Sequence, residues 1–135
     1  MSRIMAIDYG DARTGVAVSD ITQTITGDTW VIKSKNKQET ARLITDEAIK
    51  RGVSCIVVGY PKNMDGSIGS RAKKSEQLVT ALQSLCEIEI KLWDERLTTI
   101  SAHKVLDTAG KYGKKRKEAV DAVAASLILE GYLRQ

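Results

Sequence analysis

The stretch Cys55-Ile56-Val57-Val58 constrains this chain more than any other. Successive side chains of a strand point to opposite sides, so an uninterrupted apolar run of strand length reads as a strand buried on both faces. Strands of that kind belong to parallel sheets covered by helices on either side. Gly59-Tyr60-Pro61 ends the run, and the sequence around it supplies the helices. Asn36 followed three residues later by Glu39 has capping-box spacing. The helix it opens sets Ala41, Ile44, Ala48 and Ile49 on one face and ends near Gly52. Beyond the loop at 63–67, Leu78, Ala81, Leu82 and Leu85 mark a second helix at the same period.

The remaining segments complete the pattern. Residues 1–7 become apolar at Ile4-Met5-Ala6-Ile7, Asp8-Tyr9-Gly10-Asp11 supplies turn chemistry, and Gly15-Val16-Ala17-Val18-Ser19 reads as a second strand. The short link predicts an antiparallel hairpin. Thr29-Trp30-Val31-Ile32 is a third strand, and residues 87–93 alternate Ile88, Ile90 and Leu92 against Glu89, Lys91 and Trp93, the period of a fifth. Thr98 or Thr99 caps a third helix through Val105 and Leu106. A fourth begins near Glu118 and buries Val120, Val123, Ala124, Leu127 and Ile128. The expectation is an α/β fold in one domain, residues 1–135. Its five-stranded mixed sheet has strands 1–3 antiparallel, strands 4–5 parallel, and helices on both faces.

Ligands of such sheets bind beyond the carboxyl ends of the parallel strands, where the connectivity changes direction. Two of the three strand ends there carry acids: Asp8 on the first, and Asp94 with Glu95 on the last. Asp8 also suits an ordinary turn. Adjacent positions of a strand face opposite sides, so only one of Asp94 and Glu95 can converge with Asp8, and Glu95 is favoured. Asp121 stands among Ala119, Val120, Ala122, Val123, Ala124 and Ala125, unusually small and apolar company for an acid. In a helix's first turn it would serve the dipole. Packed against the sheet it would need a cation partner.

Clustered carboxylates without His or Cys suit a hard cation, Mg²⁺ or Mn²⁺. Two such ions about 3.5–4 Å apart can activate water and neutralise a phosphodiester in line. The rest of the composition narrows the chemistry further. His103 is the one histidine and lies in a helical pattern, and Ser19 and Ser101 have no obvious His–acid relay, which argues against a serine hydrolase. Cys55 and Cys86 are isolated, which excludes a zinc knuckle and a disulfide scaffold. No apolar run reaches the roughly 18 residues of a membrane span, so a cytoplasmic protein is expected.

Net charge is +4, yet Lys111, Lys114, Lys115, Arg116 and Lys117 put five cations into seven residues. Without them 16 basic residues face 17 acidic ones. A basic run usually means a solvated loop. Here it abuts Asp121, where its cations would contact phosphates on either side of a cut. Arg13, Lys62 and Arg71 are further candidates, and the stretch 109–115 reads as a loop that orders on binding.

The motifs resemble a known family when taken together. The run from Asp8-Tyr9-Gly10-Asp11 through Arg13-Thr14-Gly15 to Ser19-Asp20 resembles the opening of the YqgF/RuvX family of RNase H-like nucleases. Val58-Gly59-Tyr60-Pro61, then Asp94-Glu95-Arg96-Leu97-Thr98-Thr99, then Lys117 with Val120-Asp121-Ala122-Val123-Ala124-Ala125 continue it in the family's order. Tyr60 stands where the family commonly has leucine. The resemblance implies an RNase H-like fold and a nuclease dependent on Mg²⁺ or Mn²⁺, with two ions held by Asp8, Glu95 and Asp121. It adds Arg96 to the nucleic-acid contacts. Members are described as Holliday junction resolvases and as pre-16S rRNA processing nucleases. The implied partners are therefore branched DNA or precursor rRNA, with the ribosome or transcription machinery alongside, for a monomer or homodimer. Two alternatives compete. Asp8-x-Gly10 with Gly15 also resembles the first phosphate loop of actin-type and sugar-kinase ATPases, although those close two lobes around a nucleotide. A non-catalytic nucleic-acid or ribosome-associated module would keep the fold without the full acid set.

Overall fold

The computed structural model describes residues 2–61, 65–94 and 113–135, with side chains of the last stretch from 121 onward. Among these residues lie strands β1 (Arg3–Asp8), β2 (Arg13–Ser19), β3 (Thr26–Lys33), β4 (Val53–Tyr60) and β5 (Glu89–Asp94). The helices are α1 (Lys37–Lys50), α2 (Ser70–Leu85) and α3 (Gly113–Leu133). The strands form one sheet in the order β3-β2-β1-β4-β5. β1 and β3 run antiparallel to β2, whereas β4 runs parallel to β1 and to β5. This is the mixed sheet expected from the sequence. The helix expected over 98–106 lies outside the described residues.

Alternation along each strand divides the core into two layers. Met5, Ile7, Val16, Val18, Ile56 and Val58 face α1 and α2, meeting Ala41, Ile44, Ala48, Leu78, Ala81 and Leu82. Ile4, Ala6, Ala17, Cys55 and Val57 face the other way, onto Ala125, Ile128 and Leu129 of α3. The central strands β1 and β4 are thus buried on both sides, as the Cys55–Val58 run required. Each fully buried Ile, Met or Leu contributes about 1.5–3 kcal/mol relative to exposure.

Local signals explain the element ends. The Asn36 side chain accepts the Glu39 N–H at 2.9 Å, satisfying one of the open donors at the start of α1. Gly52, at φ +70°, turns the chain out of α1 into β4. Asp20 closes the β2–β3 turn: its carboxylate accepts the Thr24 and Ile25 N–H groups at 2.8 and 3.0 Å, and the Thr22 hydroxyl as well. Those bonds, the Thr22 hydroxyl foremost, pull its pKa down to about 2. Ser19 is structural: its buried hydroxyl accepts the Ile4 N–H at 2.9 Å and donates to the Asp20 carbonyl at 2.8 Å.

Several burial expectations are corrected. Ile49 and Leu85 are exposed, because each sits in the last turn of its helix, past the part that reaches the sheet. On α3 the fully buried stripe is Ala124, Ala125, Ile128 and Leu129, with Val123 and Leu127 only half-buried. The small side chains at 124 and 125 let the helix lie close, which turns this stripe toward the sheet. The largest correction concerns where that helix begins. It starts at Gly113, so Gly113, Lys114 and Lys115 are helical, whereas the loop reading included them and put the helix start near Glu118. Lys, Arg and Glu are good helix formers, and no glycine or proline interrupts 114–130, so charge density was a poor guide to backbone conformation.

Candidate functional site

Asp8 is the last residue of β1, and it shares a face with Ile4 and Ala6, the face covered by α3. Its ladder partner across the hairpin is Gly15. That glycine is the point where α3 crosses the sheet. A Cβ built on Gly15 would lie 1.9 Å from the Asp121 carbonyl oxygen and 2.5 Å from its carbon. Only a residue without a side chain lets the helix backbone approach so closely. Because Asp8 and Gly15 pair directly, with Cα atoms about 4.5–5.5 Å apart, the contact brings Asp121 beside the end of β1.

The cation demanded by Asp121 is Arg13. Its Nε donates to Asp121 Oδ2 at 3.1 Å, and both side chains are largely screened from solvent, 32% and 19% exposed. Arg13 opens β2 two residues before Gly15, on the same face of the sheet. Arg13 was expected to meet phosphate, and in this structure it holds a carboxylate. Asp121 lies in the third turn of α3, too far from the helix start to serve the dipole as a first-turn acid would.

Asp94 ends β5 opposite Tyr60. Its neighbour Trp93 packs on the α3 side, edge-on to Tyr132 with ring centroids 6.0 Å apart. Asp94 therefore belongs to the α1 and α2 side, away from Asp8. Glu95, Arg96, Lys62 and Lys111 lie outside the described residues. Lys114, Lys115, Arg116 and Lys117 occupy the first turns of α3, the last of them one turn before Asp121. Arg71 is exposed near the start of α2.

The donor chemistry suits a hard divalent cation. Asp8 and Asp121 offer carboxylate oxygens, with neither sulfur nor imidazole beside them among the described residues, and Asp121 already takes a cationic group in Arg13. No cluster of three His, Cys, Asp or Glu forms among the described residues. Cys55 does not compete for metal: it is buried against α3, and burial pushes its thiol pKa up.

A second feature escaped the sequence reading. Tyr9, next to Asp8, faces the opposite layer and packs against the α1 and α2 core. It lines a cleft of about 400 Å³ with Asp11, Lys35, Lys37 and Lys74. Burial is the main reason the Tyr9 hydroxyl titrates above its usual range, with Asp11 adding to it and Lys74 opposing. Lys74 Nζ donates to both Asp11 oxygens at 2.9 Å across 63 positions of sequence, a pairing no local pattern signals. The role of Gly15 was missed as well, although a glycine inside an apolar strand is a signal of close backbone approach. Tyr60 is buried and donates its hydroxyl to Glu76 at 2.7 Å, a contact that leucine at this position could not make.

Comparison with known proteins agrees with this architecture. Residues 2–135 match the model of the RuvX family, described as Holliday junction resolvase. A relative from Halothermothrix orenii, named "Putative pre-16S rRNA nuclease", is 47% identical over 97% of this chain and 94% of its own. One of the same name from Ruminiclostridium cellulolyticum is 43% identical over 97% and 93%. Among solved structures, Thermus thermophilus RuvC in complex with Holliday junction substrate superimposes with a TM-score of 0.57 at 13% identity, over 99% of this chain and 96% of that one. The fowlpox virus resolvase bound to Holliday junction DNA gives 0.58 at 8% identity, over 98% and 97%. The distant structures share the fold, and the relatives share nearly half of the sequence along almost its whole length: the chain belongs to the RuvX family.

Proposed function

We propose that this protein is a metal-dependent endonuclease that hydrolyses phosphodiester bonds in structured nucleic acid, with the 5′ end of pre-16S rRNA as its first substrate. The convergence of Asp8 and Asp121 across Gly15, at the carboxyl end of the central strand, carries the reading. Asp8, Asp121 and Glu95 would hold Mg²⁺ or Mn²⁺, as a pair of ions. When bound, the metal supplies an activated water and neutralises charge on the scissile phosphate.

The chain's own residues set the frame for that chemistry. Asp8 is fixed by the ladder of β1, and Asp121 by the packing of α3, so both carboxylates stand on rigid elements. Arg13 holds the Asp121 carboxylate in orientation and balances its charge in a half-dry setting. The cations at 114–117 lie at the end of α3 that leads into the site, where they would meet phosphates flanking the cut. The family description favours a four-way DNA junction as a second substrate. An rRNA substrate implies action in the cytoplasm beside the ribosome, and a symmetric junction implies a homodimer.

The test compares wild type with Asp8→Asn and Asp121→Asn on a pre-16S rRNA fragment and on a four-way DNA junction, each with and without Mn²⁺. Cleavage that requires the metal and both acids, with binding retained, supports the reading. Cutting that survives either substitution overturns the site.

A further inference from the structure

We propose that the cleft on the α1 and α2 side of the sheet is a second phosphate-binding surface, which receives the nucleic-acid backbone next to the cut. The proposal rests on the nuclease reading and extends it to the opposite face of the sheet. Its position is the first argument. Tyr9 lines the cleft and is bonded to Asp8, with Cα atoms about 3.8 Å apart. Successive charges on a duplex strand climb about 3.4 Å along the axis. The cleft thus opens one residue beyond Asp8, around the end of β1, within reach of a backbone whose scissile phosphate lies at Asp8.

Charge is the second argument. Lys35, Lys37 and Lys74 line the cleft against a single acid, Asp11, and Arg71 joins Asp11 and Lys74 around an adjoining hollow. These side chains come from three segments of the chain: the β1–β2 loop, the β3–α1 connection with the start of α1, and α2. The Ser34 N–H donates to the Ala12 carbonyl at 3.1 Å and ties the β3–α1 connection to the β1–β2 loop. Both α1 and α2 begin here: Lys37 is the first residue of α1, and Arg71 and Lys74 stand in the opening turns of α2. Two helix N-termini thus add their positive potential to that of the lysines. Asp11 holds Lys74 in a pair that is 73% and 44% exposed. Such a pair is weak in water, so a phosphate can displace the carboxylate.

The experiment measures binding without cleavage. Wild type and a Lys35→Gln, Lys37→Gln, Lys74→Gln triple variant are titrated in EDTA against a fluorescein-labelled four-way DNA junction and a labelled rRNA stem, from 50 to 200 mM KCl. Removing one lysine–phosphate pairing flattens the plot of log K against log [salt] by about 0.7–0.9, so the slope of the triple variant should be shallower by about 2–3. Its affinity at 100 mM should fall at least about tenfold. Asp11→Asn, which frees Lys74, should bind more tightly than wild type. An unchanged slope and affinity in the triple variant, beside a wild type that binds, overturns the cleft while the nuclease reading stands. A wild type that binds neither probe at 50 mM overturns the nuclease reading and the cleft with it.

Discussion

Replacing Gly15 by alanine asks whether the close crossing of α3 assembles the site. The new Cβ would lie 1.9 Å from the Asp121 carbonyl oxygen, against the 3.0 Å below which such contacts are essentially never seen. The obstacle is backbone on both sides, so no side chain can rotate away. Either α3 lifts by about 1 Å or β2 bends, and either motion separates Asp121 from Asp8, since a misplacement of about 1 Å can cost a hundredfold in rate. Overpacking of this kind costs about 1–3 kcal/mol, which for a chain of this size lowers the melting temperature by about 3–11 °C. Gly15→Ala should therefore remain folded at 25 °C and bind nucleic acid, yet cut about 100-fold more slowly under single-turnover conditions with saturating Mn²⁺. Calorimetry and anisotropy on the same preparation separate misassembly from unfolding. A Gly15→Ala variant that cuts at the wild-type rate would refute the reasoning.

Four further outcomes follow from the same structure. Glu95→Gln should abolish cleavage and Asp94→Asn should spare it, because Asp94 ends β5 on the side away from Asp8; equal loss in both would sink the assignment. Arg13→Gln should destabilise the metal-free protein by about 1 kcal/mol, a figure lowered for partial exposure. Added Mn²⁺ should raise the variant's melting temperature more than that of wild type, since the ion replaces the missing guanidinium, and scanning fluorimetry reads the difference. Asp20 has a folded pKa of about 2 against about 3.9 unfolded. Its contribution is thus fully present above pH 4 and lost as pH falls toward 2, so amide exchange at Thr24 and Ile25 should accelerate over that range, with Asp20→Asn removing the dependence. Tyr60→Phe should lower the urea midpoint of unfolding by removing the bond to Glu76, with cleavage unchanged.

What the sequence made legible follows from the range of each signal. The strands themselves and their buried faces come from hydrophobic period, a property of neighbouring residues, and Cys55–Val58 displayed it openly. The Asn36 cap is equally local. The need of Asp121 for a cation was readable from its apolar neighbours, yet the identity of that cation was not, since Arg13 lies 108 positions away. Lys74 and Asp11 meet for the same non-local reason. The start of α3 was misplaced because a dense positive run was taken as a sign of loop, when its residues individually favour helix. The cleft beside Tyr9 was invisible because its lysines come from separate elements, none carrying a motif of its own.

The span between Arg13 and Asp121 also has a consequence in time. A ribosome adding about 5–20 residues per second needs about 5–20 s to pass from one to the other. Throughout that interval Asp8 already exists on the emerging chain, but the helix that supplies its companion does not. The nascent protein thus carries Asp8, one of the three proposed metal-holding acids, on its earliest strand and gains Asp121 only when α3 docks across Gly15. If cleavage needs both acids, as proposed, the chain would remain unable to cut until translation has passed that helix.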